Sequence, residues 1–364
     1  MNASLNEKLR TVKWGNFKYK DIFNNIRQGR RLKKEDQEKG DIPFVMAGTT
    51  NNGVVGCVSN PVASFPQNSI TIDIFGNTFY RDYAFGAGDD TGVYWNDMVA
   101  YSPKTMLFFA AAMQKSLQGK FSYGKKLRSS QSDDFVMSLP VTSTGDIDFG
   151  FLDSFIAELE AERIAELSAY LTVSGLDNYE LSKEEEKSLE AYSTYAWGTF
   201  NLKALYGKST RGKRLKSEDR IPGTLPFVTA GEAEEGVSAF IGNDVEVFEK
   251  NTTTIDMFGS AKYRNYRYGG DDHVAIVHTE KVPMKAAIFV TSSCHKAAHT
   301  GKFDYGHNFY AKDADALDIM LPTKDGKPDY HAMELLISAI QKLVIKDVVR
   351  FSNQKIAATK EVTK

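Results

Sequence analysis

The chain repeats itself, and that limits its possible folds more than any other feature. Trp14-Gly15-Asn16-Phe17 returns 183 residues later as Trp197-Gly198-Thr199-Phe200. At the same offset, Gly29-Arg30-Arg31-Leu32-Lys33 faces Gly212-Lys213-Arg214-Leu215-Lys216. Pro43 to Gly48 faces Pro226 to Gly231, Thr71 to Gly76 faces Thr254 to Gly259, and Tyr80-Arg81 faces Tyr263-Arg264. Further along the offset is 182: Gly88-Asp89-Asp90 matches Gly270-Asp271-Asp272, GKFSYG (119–124) matches GKFDYG (301–306), and Leu139-Pro140 matches Leu321-Pro322. Collinear matches over about 130 residues per copy mark an internal duplication. Whatever one copy folds into, the other should fold into as well.

Each copy has two textures. The repeated body carries short β-type runs such as SITIDIF (69–75), cut by Gly, Asn and Pro. Each body is followed by a helical pattern. Over 151–171, Leu152, Ile156, Leu159, Ile164, Leu167 and Leu171 fall near helical spacing. Over 330–351, Met333, Leu336, Ile337, Ile340, Leu343, Val344, Val348 and Phe351 mark one apolar stripe. Ser182 to Tyr192 is a further short helix, with Ser182 and Glu185 spaced as a capping box. The expected order is β-rich globe, helix, β-rich globe, helix. An α+β fold follows, in which the two apolar stripes need partners and can pack as an antiparallel pair.

Composition fits this reading. The 364 residues are 42% hydrophobic and 25% charged, as in globular proteins, and suggest about two domains. No run of about 18 apolar residues occurs, so no membrane span is expected. MNASLNEKLRTVKW lacks the apolar centre of a secretion signal, so the expected location is cytoplasmic, with Cys57 and Cys294 as free thiols. The net charge of −2 is unevenly spread: residues 1–149 carry +3, residues 150–192 carry −8, and the remainder +3. The positive charge is concentrated in matched loops. The first copy has Arg27, Arg30, Arg31, Lys33 and Lys34, then Lys120, Lys125, Lys126 and Arg128. The second has Lys208, Arg211, Lys213, Arg214 and Lys216, then Lys302. A solvated face explains any one run, but recurrence at matched positions points to a polyanion, because phosphate contact needs several cations along one surface.

These duplicated segments, Pro226 to Glu232, Thr254 to Gly259 and Gly301 to Gly306 with their first-copy counterparts, resemble those of a DNA-specificity subunit of restriction–modification systems. The layout is similar to the S subunit of type I systems. It is more similar to the short S-type subunits of type IIB systems, because helices of about 20–25 residues are shorter than the usual type I spacers. The resemblance implies a first target-recognition domain (1–149), a first spacer helix and connector (150–192), a second target-recognition domain (193–328), and a second spacer helix and tail (329–364). It implies an antiparallel helix pair that sets the gap between two half-sites on double-stranded DNA. It also implies a subunit with no catalysis and no cofactor, which presents DNA to methyltransferase or fused methyltransferase–nuclease partners docked on the helices. The docking residues would be Leu152, Ile156, Leu159, Leu336, Ile340 and Leu343.

The duplication also sorts residues by role. Positions shared by both copies build the scaffold or meet the phosphate backbone; polar positions that differ inside matched loops are where two sequences could be read. Thr49-Thr50-Asn51-Asn52 faces Glu232-Ala233-Glu234-Glu235, and Lys125-Lys126-Leu127-Arg128 faces His307-Asn308-Phe309-Tyr310. Arg or Lys suits guanine, Asn suits adenine, and Glu can accept from cytosine N4. Surface drift is the alternative for any one of them. The candidate DNA-binding residues are Arg30, Arg31, Lys33, Asn51, Asn52, Lys120, Tyr123, Lys125, Lys126 and Arg128 in the first copy. In the second they are Lys213, Arg214, Lys216, Glu232, Lys302, Tyr305, His307 and Asn308. Tyr123 and Tyr305 fit either DNA contact or core packing, whereas Trp14 and Trp197 are expected in the core.

Other chemistries fit less well. The repeated carboxylates Asp73, Asp89 and Asp90, with Asp256, Asp271 and Asp272, could hold Mg²⁺ in a duplicated metal-dependent nuclease. No E-x-K completes such a site, and Asp73 lies in an apolar run, so turn formation is the expected role. Cys294, His295 and His299 lack a second ligand pair for zinc, and all six His lie in the second half, so no metal is expected. Gly207-Lys208-Ser209 lacks the earlier glycine of a P-loop, and no N-P-P-Y-type methyltransferase tetrapeptide occurs. A tandem carbohydrate- or protein-binding module remains a third reading.

Overall fold

The structure, a computed structural model, describes residues 3–62 and 64–362. The chain divides into two compact units, residues 1–167 with 355–364, and residues 168–354.

In the first unit, α1 (Ala3–Thr11) precedes β1 (Trp14–Lys18), α2 (Tyr19–Ile22), β2 (Asn25–Gln28), β3 (Lys39–Val45), β4 (Val54–Val58) and β5 (Ser64–Phe65). Then come β6 (Ser69–Asp73), β7 (Thr78–Arg81), β8 (Phe85–Ala87), β9 (Thr91–Trp95), α3 (Pro103–Leu117), β10 (Val136–Pro140) and α4 (Phe149–Val173). One sheet has the order β2-β9-β6-β7, a second β4-β3-β8-β5, and β1 pairs with β10. Every residue of β6 is buried, because both its faces are covered. Ile70 and Ile72 enter a core with Phe109 and Met113 of α3, while Val45, Phe65, Phe85 and Val93 form a smaller core. Each such side chain contributes about 1.5–3 kcal/mol. α3 begins where Ser102 Oγ accepts from Thr105 N at 3.0 Å and Pro103 takes the first turn.

The second unit repeats this plan. After α5 (Lys183–Glu190) come β11 (Trp197–Asn201), α6 (Leu202–Tyr206), β12 (Thr210–Arg211), β13 (Pro222–Val228), β14 (Val237–Ile241) and β15 (Val247–Phe248). β16 (Thr252–Asp256), β17 (Ala261–Arg264), β18 (Tyr268–Gly270), β19 (Val274–Val277), α7 (Met284–Ala298), α8 (Ala311–Asp315), β20 (Asp318–Lys324), β21 (Lys327–Pro328) and α9 (Tyr330–Val362) follow. The sheet orders β12-β19-β16-β17 and β14-β13-β18-β15 mirror the first unit, with β11-β20-β21 as a third sheet. The bulge between Phe44 and Val45 recurs between Phe227 and Val228.

The ladders correct one part of the sequence alignment. Ile70 pairs with Tyr94 and Thr253 with Val277; Asp73 pairs with Thr91 and Asp256 with Val274. The 183-residue offset therefore holds through β9 and β19. Asp89 and Asp90 correspond to Asp272 and His273, not to Asp271 and Asp272. The identical Gly-Asp-Asp triplets lie one step out of register, and the deletion falls later in the chain.

α9 differs from expectation in length, and both helices differ in facing. α4 has 25 residues and α9 has 33, so α9 runs well past 351 and the short-spacer argument does not hold for it. Leu152, Ile156 and Leu336 are buried, and Leu152, Ile156 and the partly buried Leu159 belong to the first unit's core. Burial takes Leu152, Ile156 and Leu336 out of any docking surface, whereas Ile340 and Leu343 are 45% and 48% exposed. The expected stripe on α9 holds through Ile337, after which Ala339, Val349 and Ser352 are the buried positions. The capping box of α5 is present: Ser182 N donates to Glu185 Oε2 at 2.7 Å, and Glu185 N to Ser182 Oγ at 3.2 Å. Trp14 and Trp197, expected in the core, lie at its edge, 44% and 36% exposed; the Trp14 indole N–H donates to Leu9 O. Among the described residues no helix is long and apolar enough to cross a membrane.

Candidate nucleic-acid interface

In each unit, the loops that carry the candidate residues meet at one end of the two larger sheets. In the first unit, backbone hydrogen bonds join them: Gly29 N to Thr91 O, Arg30 N to Ala87 O, Gly88 N to Val45 O and Leu127 N to Ile74 O, each 2.9 Å. In the second, Lys213 N donates to Gly270 O at 3.0 Å, Asp271 N to Val228 O at 2.9 Å and Phe309 N to Met257 O at 2.9 Å. Gly29 and Gly212 are required by this crossing. A Cβ on Gly212 would stand 1.7 Å from Gly270 O, and one on Gly29 2.2 Å from Gly88 O.

The cationic side chains on these loops face solvent. Arg30, Arg31, Lys33, Lys120, Lys125, Lys126 and Arg128 are exposed in the first unit, as are Lys213, Arg214, Lys216 and Lys302 in the second. Few are neutralised. Lys33 and Lys216 stand 3.9 and 3.7 Å from Glu35 and Glu218, and Arg128 donates to Asp89 O. The two GKF loops close by the same small turn, Ser122 with Lys125 and Asp304 with His307. Their tips project: Tyr123 is 82% exposed and Tyr305 84%, which settles the choice against core packing. Lys126 Nζ sits 4.6 Å above the Tyr123 ring. Tyr305 meets Phe258 edge-on at 5.2 Å, which fixes the ring's direction. His307 is exposed beside Phe303, but Asn308 is half-buried and donates to the Tyr310 hydroxyl at 3.3 Å, so it does not present its amide to a ligand.

The least ordinary backbone in the molecule lies between β3 and β4 and again between β13 and β14. Asn51 and Asn52 adopt φ 47° and 52°, Glu234 and Glu235 φ 47° and 54°, followed by Gly53 and Gly236 at 80° and 81°. Three successive left-handed residues, two of them not glycine, cost about 1–3 kcal/mol per non-glycine residue and persist only where the surroundings impose them. A buried arginine imposes them. Arg81 donates from Nε to Thr71 Oγ1 (3.1 Å), from one terminal nitrogen to the Tyr83 hydroxyl (3.1 Å), and from the other to Asn52 O (2.6 Å). Arg264 repeats this set on Thr254 (2.9 Å), Tyr266 (3.0 Å) and Glu235 O (2.8 Å). None of these acceptors is a carboxylate, and burial pushes the Arg81 guanidinium below its ordinary pKa, partly offset by Tyr83. The two arginines had marked the repeat in the sequence; their clamping role was not legible there.

The loop side chains divide. Asn51 Nδ2 reaches Val54 O at 3.3 Å, and the exposed Glu232 carboxylate pairs through Oε1 with Lys262 at 3.2 Å. Hydrogen bonding to Ser260 and Lys262, against the desolvation that opposes it, keeps the Glu232 carboxyl below the usual range. Asn52, Glu234 and Glu235 are exposed.

The repeated aspartates are structural. Asp73 Oδ1 accepts from Phe75 N (2.8 Å) and Asn77 N (2.9 Å), and Oδ2 from Asn77 Nδ2 (2.8 Å) and Gly48 N (3.1 Å). Asp256 Oδ1 accepts from Phe258 N and Ser260 N, both 3.0 Å, and Oδ2 from Gly231 N at 3.3 Å. These carboxylates shape turns and have little left to give a metal ion. Asp271, Asp272 and His273 do bring their ligand atoms within 4.8 Å of one another, a group the misregistered alignment concealed. Burial raises the Asp271 carboxyl. Beside it is an open cleft of about 470 Å³, lined by Arg214, Lys216, Arg220, Asp271 and His273.

Residues 11–169 match the family model described as Type I restriction modification DNA specificity domain. Over these residues the chain is similar to the DNA-specificity subunits of restriction–modification systems. Its relatives include the specificity subunit S.BcgI of a type II restriction enzyme from Heyndrickxia coagulans, 20% identical over 346 residues, which cover 92% of this chain and 96% of that one. The fold is similar to the S subunit of a type I restriction–modification system from M. genitalium, with TM-score 0.54 and 13% identity, covering 97% of this chain and 94% of that one.

Proposed function

We propose that each unit of this specificity subunit reads one half of a two-part duplex-DNA site, and that the chain presents the bound DNA to methyltransferase or methyltransferase–nuclease subunits docked on its long helices. The supporting observation is the recurrence, in both units, of one face built from the same loops, with matched exposed cations and unmatched exposed polar tips. The matched cations, Arg30, Arg31 and Lys33 and then Lys213, Arg214 and Lys216, suit the phosphates that every duplex offers. The unmatched tips suit base edges, which differ between half-sites. Exposed Ile340 and Leu343 of α9 are the docking residues retained. α4 and α9 packing as an antiparallel pair would fix the gap between half-sites.

The test is selection from random duplex DNA by the full chain assembled with its partner subunits. Two short motifs at a fixed separation are expected. A single continuous motif, or no enrichment, rejects the reading. DNA cleavage by the chain alone with Mg²⁺, abolished by Asp73→Ala with Asp256→Ala, would revive the nuclease alternative; the turn-forming hydrogen bonds of both aspartates speak against it.

A further inference from the structure

We propose that the clamped left-handed turn is an interchangeable base-reading cassette, in which Asn52 selects adenine in the half-site of the first unit and Glu235 selects cytosine in that of the second. This rests on the DNA-reading role proposed above and names which bases two of its positions recognise.

The turn is the same device in both units. Asn52 and Glu235 share a left-handed backbone, each is followed by a positive-φ glycine, and each has its carbonyl held by a buried arginine from the equivalent strand. Anchoring the carbonyl leaves the side chain as the free part of the residue. Both side chains are exposed, and neither has a partner among the described residues. Of their neighbours, Glu232 is paired with Lys262 and Asn51 leans on Val54 O, whereas Glu234 is as exposed as Glu235 but is not the residue whose carbonyl Arg264 holds.

Glu235 is poorly suited to its place on any other ground. Stability would favour Gly or Asn in a left-handed conformation. Phosphate affinity would favour Lys or a neutral residue on a face whose other loops offer Lys213, Arg214, Lys216 and Lys302. A carboxylate gains from a duplex only where it meets a hydrogen-bond donor, which in the major groove means an exocyclic amine. Cytosine N4 presents that donor without a neighbouring acceptor. Adenine N6 stands beside N7, whose lone pair repels a carboxylate. The Asn52 amide has one donor and one acceptor, the complement of adenine N7 and N6.

A reciprocal exchange in the full chain, within its assembled complex, tests this by selection from random duplex DNA. Glu235→Asn is expected to move one base pair of the second half-site from cytosine to adenine and leave the first half-site unchanged. Asn52→Glu is expected to do the converse. Each change in relative enrichment should be roughly 5- to 150-fold, the range of one good base contact. Glu235→Gln, which keeps length and removes charge, should also favour adenine. Thermal melting checks the fold, and Glu235→Asn should melt no lower than the wild type because Asn tolerates the left-handed region better. A two-part wild-type motif that neither exchange moves overturns the assignment alone. So does tighter binding to all sequences with base preference unaltered, since the carboxylate would then act only by repelling phosphate. A wild-type chain that enriches no two-part motif overturns the DNA-reading role, and the assignment with it.

Discussion

At the scale of the residue, the molecule trades stability for a fixed turn. Glu234 and Glu235 hold φ 47° and 54°, where a side chain with a Cβ is crowded and Gly is not. Replacing Glu235 by Gly should therefore raise the unfolding free energy by about 1 kcal/mol, read as a higher denaturant midpoint at unchanged slope, while weakening discrimination at one base pair. A loss of stability would mean that the carboxylate has a structural partner. The clamp gives the opposite expectation. Thr254→Val keeps the shape of the side chain but removes the acceptor of Arg264 Nε, and should cost about 1–3 kcal/mol because a buried charged donor is left unmatched. Sequence reading found the matched arginines only as repeat markers. A buried guanidinium served by a threonine, a tyrosine and a carbonyl has no spacing signature, and nothing in Glu-Glu-Gly announces a left-handed turn. Tyr123 and Tyr305 also needed coordinates, because a GKF-x-YG segment is equally consistent with a ring turned in or out.

At the scale of the element, strands and helices were largely legible, but register and facing were not. The apolar run Thr71-Ile72-Asp73-Ile74 reads as a buried strand and is one up to Asp73. The Gly-Asp-Asp identities pulled the alignment one residue out, because identical residues outweigh hydrogen-bond register when only letters are compared. The α9 stripe failed beyond Ile337 for a related reason: periodicity reports that a face is apolar, not that something covers it. The capping box of α5 was legible because its chemistry is local. Its non-local consequence is an ion pair with α9, in which Lys342 Nζ donates to Glu185 Oε2 at 2.8 Å. Burial alone would raise the Glu185 carboxyl, but bonds from Lys342 and the Ser182 backbone outweigh it and hold it at about 2, below its ordinary 4.5. Because the folded value is the lower one, the stabilisation is complete above about pH 4.5 and is lost as pH falls toward about 2. Acid titration of unfolding should show the wild type losing about 3 kcal/mol more across that window than Glu185→Gln does. Equal losses in both would show that the pair contributes nothing.

At the scale of the whole molecule, duplication allows the contributions of the two units to be compared directly. Binding through phosphates releases counterions, so the logarithm of the association constant falls linearly with the logarithm of salt concentration, by nearly one unit of slope per phosphate neutralised. Arg30→Ala with Arg31→Ala removes two exposed cations from the first unit, and Lys213→Ala with Arg214→Ala removes their counterparts from the second. Each pair should lower the magnitude of the slope by about 2 and weaken binding to all sequences alike, because a phosphate contact carries no base information. The pairs lie in different units and share no hydrogen-bond partner, so the fourfold variant should lose about 4, the sum of the two. Additive loss with both half-site motifs retained is what two independent heads gripping one duplex require. If the first pair removes slope and the second removes none, only one unit meets the backbone, and the second copy has kept the fold of a DNA reader without its contact.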